Sequence, residues 1–117
     1  MLRSLLSLLG VYRIYEKWLW YQVKNNPKPE HIGIILDGNR RWALNRSLDP
    51  NIGHYYGADK TEEMLRWCLD LGVRSVTLYV FSTENFNRPR EEVEELMRLF
   101  EERLQKIMKN NDIHRHR

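Results

Sequence analysis

A short stretch of the sequence brings together one carboxylate and two guanidinium groups, at Asp37, Arg40 and Arg41. A carboxylate is a suitable ligand for a hard cation such as Mg2+, and guanidinium groups bind oxyanions through paired N–H donors. The turn residues Gly38 and Asn39 lie between them, and a helix beginning there would leave backbone N–H groups facing an anion. These residue types in this order indicate a site for a phosphate or diphosphate group.

Two strands and two loops are predicted around such a site. The apolar run from Ile32 to Leu36 is typical of a buried parallel strand, and the segment from Arg40 to Asn45 is expected to begin a helix. A second strand is predicted over Val73 to Phe81, which is rich in β-branched and aromatic residues. The segment from Ser82 to Pro89 is then the loop at the end of that strand.

Two longer helices complete the pattern, because apolar residues recur at helical spacing over Ala58 to Leu71 and Glu91 to Lys109. Gly72 is a suitable C-cap for the first of them, and Ser47 to Asn51 reads as the loop before it. Strand, helix, strand and helix in this order predict an α/β fold, a parallel sheet with flanking helices. Both loops then lie at the same carboxyl edge of the sheet, where such folds bind ligands.

The N-terminal segment is predicted to be a separate amphipathic helix over Leu2 to Val23. Arg3, Arg13 and Lys17 interrupt its apolar residues, so it is a poor candidate for a membrane span. The segment could lie on a bilayer as a peripheral helix, or its apolar face could pack on the domain or on a partner subunit. We therefore divide the chain into an extension at residues 1–26 and a domain at residues 27–117.

Length and composition favour one small α/β domain. The chain has 117 residues, 42% hydrophobic and 30% charged, with a net charge of +3. This mild positive charge suits an anionic ligand or membrane surface, and it gives no reason to expect nucleic acid as a partner. The single cysteine, Cys68, excludes an internal disulfide and is expected to be a small buried hydrophobe. A cytoplasmic location is the expectation.

Three motifs in order resemble those of the cis-prenyltransferases, the undecaprenyl and polyprenyl diphosphate synthases. The first runs from His31 to Ala43 and contains Ile-Ile-Leu-Asp-Gly-Asn-Arg-Arg-Trp-Ala. The second is Gly-His-Tyr-Tyr-Gly at Gly53 to Gly57, and the third is Phe-Ser-Thr-Glu-Asn-Phe-Asn-Arg-Pro at Phe81 to Pro89. The resemblance starts at about residue 29 and continues to the last residue.

The resemblance implies a role for each motif residue. Asp37 would be the essential carboxylate and the ligand of Mg2+, and Asn85 would be the second catalytic residue, as proton acceptor or relay. The remaining motif residues would bind substrate: Gly38, Asn39, Arg40, Arg41, Trp42, His54, Ser82, Thr83, Glu84, Phe86 and Arg88.

The resemblance also implies an enzyme, a Mg2+-dependent polyprenyl diphosphate synthase of the undecaprenyl type. It would condense isopentenyl diphosphate repeatedly onto an allylic diphosphate, geranylgeranyl or farnesyl, to give the precursor of a glycosyl carrier lipid. A homodimer is expected for the full-length protein. The alternatives are a non-catalytic partner subunit, a fragment that only binds diphosphate, and a membrane-surface module built on the N-terminal segment.

The sequence departs from the family pattern at several points. Pro50 stands where bacterial members often have an arginine, Arg40 replaces a glycine, and Phe86 replaces a tryptophan, which is closer to the archaeal and eukaryotic branches. The family continues well beyond residue 117, so we expect the first part of a longer fold, with residues 113–117 resembling the entry to its next strand. Such a piece is not expected to catalyse alone, and its open sheet edge would favour aggregation.

Each motif residue also has an ordinary structural interpretation. Asp-Gly-Asn is a common turn, Trp42 and Phe86 could be core residues, and His54 could be a hydrogen-bonded histidine. The segment from Ser82 to Asn85 could cap the turn that follows. The acidic run at Glu91, Glu92, Glu94 and Glu95 is interpreted as a solvated helix start.

Overall fold

The computed structural model describes residues 2–110 as helices flanking a small parallel sheet. In chain order the elements are α1 (Leu2–Leu8), α2 (Val11–Lys24), β1 (His31–Ile35), α3 (Asn39–Leu44), α4 (Pro50–Leu71), β2 (Ser75–Tyr79), a 3-10 helix (Thr83–Asn87) and α5 (Arg90–Lys109).

The two strands pair in parallel, in a register that runs from His31 opposite Ser75 to Ile35 opposite Tyr79. Parallel strands require a long crossover, and α3 and α4 supply it. The carboxyl ends of β1 and β2 therefore lie side by side, and the Leu36 N–H donates to the Tyr79 carbonyl at 3.1 Å. The predicted α/β fold with a parallel sheet is confirmed, as is the shared edge of the two motif loops.

The prediction that the first strand is buried is wrong. Exposed and half-buried residues alternate along both strands, and Ile35 is 72% exposed. A parallel strand is buried only when helices cover both faces of its sheet. In the part of the chain that the structure describes, one face of the sheet is half covered and the other is open.

Helix α4 begins at Pro50, eight residues before the predicted start at Ala58. The Asp49 side chain accepts a hydrogen bond from the Asn51 N–H at 2.8 Å, and Pro50 occupies the first helical position. Both features favour a helix start, because a side-chain oxygen satisfies a free N–H and proline has none to satisfy. The second motif, Gly53 to Gly57, therefore lies on a helix, and the loop predicted over Ser47 to Asn51 ends at Asp49.

Helices α4 and α5 run in the same direction away from the carboxyl edge of the sheet. Contacts between them proceed in step along both helices: Tyr55 donates to Glu95 at 3.1 Å, and Arg103 donates to Glu62 at 2.6 Å. The buried apolar residues are Ala43, Cys68, Val73, Leu96 and Leu99, so the core lies where these helices meet the sheet. The predicted burial of Cys68 is confirmed.

Several predicted boundaries agree with the structure within one or two residues. Helices α3 and α5 each begin one residue before their predicted start, and β2 is shorter at both ends than predicted. Gly72 caps α4 with φ +77°, a backbone conformation that glycine adopts without steric cost. The segment at residues 113–117, which resembles the entry to a further strand, lies outside the described residues.

The N-terminal segment forms two helices, where one was predicted. Gly10 has φ +68° and separates α1 from α2, because this left-handed conformation cannot continue a right-handed helix. All described residues of both helices are exposed or half-exposed. Within residues 2–110, no helix is long and apolar enough to cross a membrane.

Candidate active site

A cavity of about 660 Å3 opens at the carboxyl edge of the sheet and extends between β2, α4 and α5. Its opening, which we call the polar rim, is lined by residues of the three motifs. They are Asp37, Gly38, Asn39, Arg40, Arg41, His54, Ser82, Asn85 and Arg88. The structure thus brings together nine of the thirteen residues that the motifs predicted for the site.

Asp37 lies at the tip of β1 with an accessible carboxylate. Its side chain is 77% exposed, one oxygen accepts from the Gly38 N–H at 2.6 Å, and the other lies 3.3 Å from a guanidinium nitrogen of Arg41. Among residues 2–110 there is no cluster of three His, Cys, Asp or Glu side chains that could hold a metal. Asp37 fits Mg2+ in the way this ion is bound beside phosphates, with one carboxylate and the other ligands from water and substrate oxygens.

The backbone after Asp37 is shaped by Gly38, whose φ is +91°. This value is reached at little cost by glycine alone, and it turns the chain from β1 directly into α3. Asn39 is the first residue of α3, so the N–H groups of the first helical turn face the polar rim. Oxyanions bind well in such positions.

Two glycines of the second motif allow α3 to lie directly against α4. A Cβ atom on Gly53 would stand 2.2 Å from the Asn39 carbonyl oxygen, and one on Gly57 would stand 2.4 Å from the Asn39 side-chain nitrogen. The glycines are one helical turn apart on the same face of α4. The close crossing that they permit places His54, which lies between them, at the same opening as the Asp37 turn.

Two arginines and a histidine of the rim converge on one carboxylate, that of Glu92. Its Oε1 atom lies 3.2 Å from His54 Nε2, 3.4 Å from Arg88 Nη1 and 3.6 Å from Arg40 Nε. The Glu92 side chain is only 8% exposed, so the interpretation of the whole acidic run as solvated is wrong. Glu92 is four residues before the buried Leu96, so its position on the apolar face of α5 was a signal of burial.

Ser82 and Asn85 hold each other at the end of β2. The Ser82 N–H donates to Asn85 Oδ1 at 3.0 Å, and the Asn85 N–H donates to the Ser82 carbonyl at 3.0 Å. The first of these bonds is one half of a capping box that starts the 3-10 helix. In the other half, the Ser82 side chain accepts from the Asn85 N–H. The loop is therefore ordered by its own side chains, and both residues still line the cavity.

The remainder of the cavity is apolar until its far end. The walls are provided by Leu65, Leu78, Val80, Phe81, Leu96, Leu99, Phe100, Leu104 and Ile107. The far end carries an ionic cluster of Asp59, Glu62, Arg103 and Lys106, in which Glu62 is the shared partner of Arg103 and Lys106.

Hydrogen bonds within this ionic cluster shift two pKa values. Bonds donated by Lys106 and Arg103 lower the pKa of Glu62, while bonds to Glu62 and Asp59 raise the pKa of Arg103. Both groups are therefore held in their charged forms at neutral pH.

Comparison with known proteins agrees with the three motifs. The family model of the undecaprenyl diphosphate synthases matches residues 35–117. The chain belongs to the undecaprenyl diphosphate synthase family. The match includes the whole of the polar rim and of the apolar cavity wall.

Named relatives within the undecaprenyl diphosphate synthase family are archaeal and bacterial. The chain is 54% identical to a tritrans,polycis-undecaprenyl-diphosphate synthase (geranylgeranyl-diphosphate specific) of Methanopyrus kandleri, over 93% of this chain and 40% of that protein. It is 51% identical to the protein of that name from Methanocaldococcus jannaschii, over 92% of this chain and 38% of that protein. An isoprenyl transferase of Thermus thermophilus is 48% identical, over 99% of this chain and 44% of that protein. The chain thus spans about 40% of the length of these relatives.

Four residues that the undecaprenyl diphosphate synthase motifs assign to substrate do not line the cavity. Trp42 packs on Tyr56, with ring centroids 4.8 Å apart, and under the guanidinium group of Arg46. Phe86 is 62% exposed and meets the edge of Phe81 at 4.9 Å. Thr83 and Glu84 are exposed on the 3-10 helix. In this arrangement these residues surround the polar rim and do not form its surface.

Proposed function

We propose that the protein is a cis-prenyltransferase that lengthens an allylic diphosphate by condensing it with isopentenyl diphosphate. The observation that carries this proposal is the shape and polarity of one cavity. A rim with three arginines, a histidine and the first turn of α3 opens into a long apolar interior. A prenyl diphosphate has this same division between an anionic head and a hydrocarbon tail.

The diphosphate head would be held by residues of the polar rim. Arg40 and Arg88 offer guanidinium N–H groups to the phosphate oxygens, and the first turn of α3 offers backbone N–H groups. Asp37 would hold Mg2+, which when bound neutralises charge on the departing diphosphate. The allylic C–O bond breaks as the new C–C bond forms, and the charge that leaves with diphosphate stays within this cationic rim.

A proton must leave the isopentenyl unit after the new bond forms. Asn85 lines the rim where this step would occur, but an amide is a weak base. The Asn85 Oδ1 atom already accepts the Ser82 N–H at 3.0 Å. Asn85 and Ser82 would therefore orient the reacting group or pass the proton on, and a phosphate oxygen would accept it.

The hydrocarbon tail would lie along α5. Cavity-lining residues run from Leu96 to Ile107, a helical length of roughly 16 Å. Burial of apolar tail in this space contributes roughly 0.8 kcal/mol per methylene group. The names of the archaeal relatives specify geranylgeranyl diphosphate, which supports that allylic primer over farnesyl diphosphate.

Helix α2 would attach the protein to the surface of a membrane, where a long polyprenyl product belongs. At helical spacing, Ile14, Tyr15 and Trp18 lie on an apolar face, and Arg13, Lys17 and Lys24 lie on the opposite face. Trp18 is 53% exposed and Ile14 is 68% exposed. An exposed apolar face flanked by cations fits a bilayer containing anionic lipids. The homodimer implied for the full-length protein is a further part of this proposal.

The test is substitution of Asp37 in the full-length protein. Asp37→Ala is expected to abolish Mg2+-dependent incorporation of radiolabelled isopentenyl diphosphate, and circular dichroism is expected to show an unchanged fold because this side chain is exposed. Asp70→Ala, at an exposed position on α4 outside the cavity, is the matched control and should retain activity.

Two results would contradict the proposal. Turnover retained in Asp37→Ala would remove this residue from the reaction. A wild-type protein that binds allylic diphosphate but incorporates no isopentenyl diphosphate, alone or as a dimer, would instead fit a non-catalytic partner subunit.

A further inference from the structure

Glu92 belongs to none of the three motifs, yet its side chain contacts three residues of the polar rim. Its Oε1 atom is within 3.6 Å of nitrogen atoms from Arg40 on α3, His54 on α4 and Arg88 in the link before α5. These three residues come from separate elements. Arg40 and Arg88 are proposed above to bind diphosphate, and His54 lines the same rim.

A buried carboxylate at this position requires an explanation. Removing a carboxylate from water is costly in free energy. An ion pair offsets that cost only when its geometry is good and further hydrogen bonds are made. An apolar residue at position 92 would continue the face formed by Leu96 and Leu99 and would join the helices at least as well. The charge at Glu92 is therefore better explained by what it does to the two arginines and the histidine.

We propose that Glu92 is a positioning residue that holds Arg40, His54 and Arg88 ready to receive a diphosphate group. The inference rests on the function proposed above. Long arginine side chains lose much of their rotamer entropy when they become ordered. If Glu92 orders them in the free protein, this cost is not incurred again when the ligand binds.

The charges of the cluster are compatible with this role. Glu92 carries one negative charge and faces two arginines and a histidine, so the rim keeps a net positive charge for the ligand. A guanidinium group has five N–H donors, and the contact of Arg88 with Glu92 is made through Nη1. The other donors of the same plane can then bind phosphate oxygens.

The proposal is tested by calorimetric titration of the full-length protein with inorganic diphosphate. Glu92→Gln keeps the shape of the side chain and removes its charge, and we expect it to raise the Kd for diphosphate about tenfold. Glu95→Gln is the matched control, because Glu95 lies on the same helix and also joins α5 to α4, through Tyr55, without touching the rim. It should change the Kd less than twofold.

A double-mutant cycle separates positioning from a purely structural role. Arg88→Gln alone should weaken diphosphate binding, and Glu92→Gln should then cause a much smaller additional loss, because one of the groups that it positions is gone. A structural role would lower the melting temperature without this coupling in Kd. Since the cycle compares affinities, it remains informative if Glu92→Gln lowers stability.

The outcomes distinguish this inference from the proposed function. If the wild type binds diphosphate and Glu92→Gln binds it equally well or more tightly, the positioning role is wrong and the proposed function is unaffected. Strictly additive losses in the cycle would also overturn the positioning role. If the wild type binds neither diphosphate nor allylic diphosphate, both proposals are wrong.

Discussion

Gly53 and Gly57 determine how closely the Asp37 turn approaches the rest of the polar rim. Their missing side chains let Asn39 lie against α4, with its carbonyl over Gly53 and its amide over Gly57. The two contacts differ in kind, because a side-chain amide can rotate away whereas a backbone carbonyl moves only with its helix.

Gly53→Ala is expected to lower the free energy of unfolding by about 1–3 kcal/mol, since its Cβ would overlap the Asn39 carbonyl oxygen and force α3 outward. Urea denaturation of the full-length protein measures this loss. Gly33→Ala is the control, because a Cβ there meets no atom within 4 Å in the described structure. Equal stabilities for the two variants would mean that α3 and α4 do not cross as closely as described.

At the residue scale, the sequence predicts the residues that line the cavity better than it predicts Glu92, the residue that contacts several of them. Asp37 is predicted from the turn that ends the first strand, and Asn85 and Arg88 from the resemblance of their motif; all three line the cavity. Glu92 is not predicted, because an acidic run at a helix start is normally solvated and the pattern does not indicate which of its four glutamates points inward. That choice is made by the tertiary packing of α5 against α4, and only the spacing to Leu96 and Leu99 hints at it.

At the scale of elements, the ionic cluster at the far end of the cavity joins α5 to α4 through ion pairs. Glu62 accepts from Arg103 at 2.6 Å and from Lys106 at 2.9 Å, with its side chain 16% exposed. These bonds lower the pKa of Glu62. The carboxylate of Glu62 therefore binds a proton less tightly in the folded protein than in the unfolded chain.

This pKa shift predicts a pH-dependent stability. The contribution of Glu62 is complete above the ordinary pKa of a glutamate and is lost as the pH falls through the lower folded-state value, because the unfolded chain takes up the proton first. Glu62→Gln should therefore lower the free energy of unfolding by about 1–2 kcal/mol at pH 7 and by less at about pH 3.

Denaturant titrations at the two pH values check the prediction. Glu63→Gln is the control, since Glu63 is exposed and pairs with the exposed Lys60 on the same helix. Its effect should stay within about 0.5 kcal/mol at both pH values. A loss in Glu62→Gln that is as large at low pH as at neutral pH would show that packing, and not charge, accounts for it.

The proposed membrane contact of α2 can be tested with two tryptophans. Trp18 and Trp20 are two residues apart and so point about 200° apart around the helix. Trp18 lies on the apolar face, and Trp20 lies beside Arg13, Lys17 and Lys24. Trp18→Ala should weaken binding of the full-length protein to vesicles with anionic lipid at least about threefold, and Trp20→Ala should weaken it less.

Vesicle co-sedimentation measures this difference, with neutral vesicles as the second control. Equal effects of the two substitutions would contradict an interfacial orientation of α2. In that case the apolar face would be better explained as a contact with the domain or with a partner subunit.

Element boundaries were predictable where a local signal decides them. Gly72 ends α4 as expected, and α5 was found within one residue. The start of α4 differs from the prediction because Ser-Leu-Asp-Pro-Asn is typical of a loop, although Asp49 and Pro50 together form a helix start. The break at Gly10 is not predicted, because the apolar pattern continues across it.

At the scale of the whole molecule, the diphosphate head and the hydrocarbon tail of a prenyl diphosphate would bind to different parts of the cavity. Substitutions in the apolar wall should therefore change the affinity for the prenyl diphosphate without changing the affinity for inorganic diphosphate. Leu104→Gln, on the apolar wall, is expected to weaken geranylgeranyl diphosphate binding about tenfold, or about 1.4 kcal/mol, and to leave inorganic diphosphate binding unchanged. Calorimetry with both ligands measures this. Leu104 is 59% exposed, so the substitution should cost little stability.

Met97→Gln is the matched control for the cavity wall. Met97 lies on α5, is 39% exposed and does not line the cavity. It should leave both affinities unchanged. A loss for inorganic diphosphate in Leu104→Gln would show that head and tail are not bound independently.

The overall architecture followed from the sequence because alternation of strands and helices leaves few possible topologies. The open face of the sheet does not follow from the sequence, because burial of a strand depends on which elements cover it. The same apolar run, Ile32 to Leu36, would be buried under a second layer of helices and is half exposed without one.

The parallel pairing of β1 with β2 also affects the order of events in folding. Arg40 and His54 are far from Glu92 along the chain, and they cannot approach it until the crossover through α3 and α4 has closed, so their assembly depends on loop closure. The polar rim therefore depends on long-range contacts and is not a local structure. Any diphosphate in solution would bind only molecules that have completed this step, and would shift the folding equilibrium toward them.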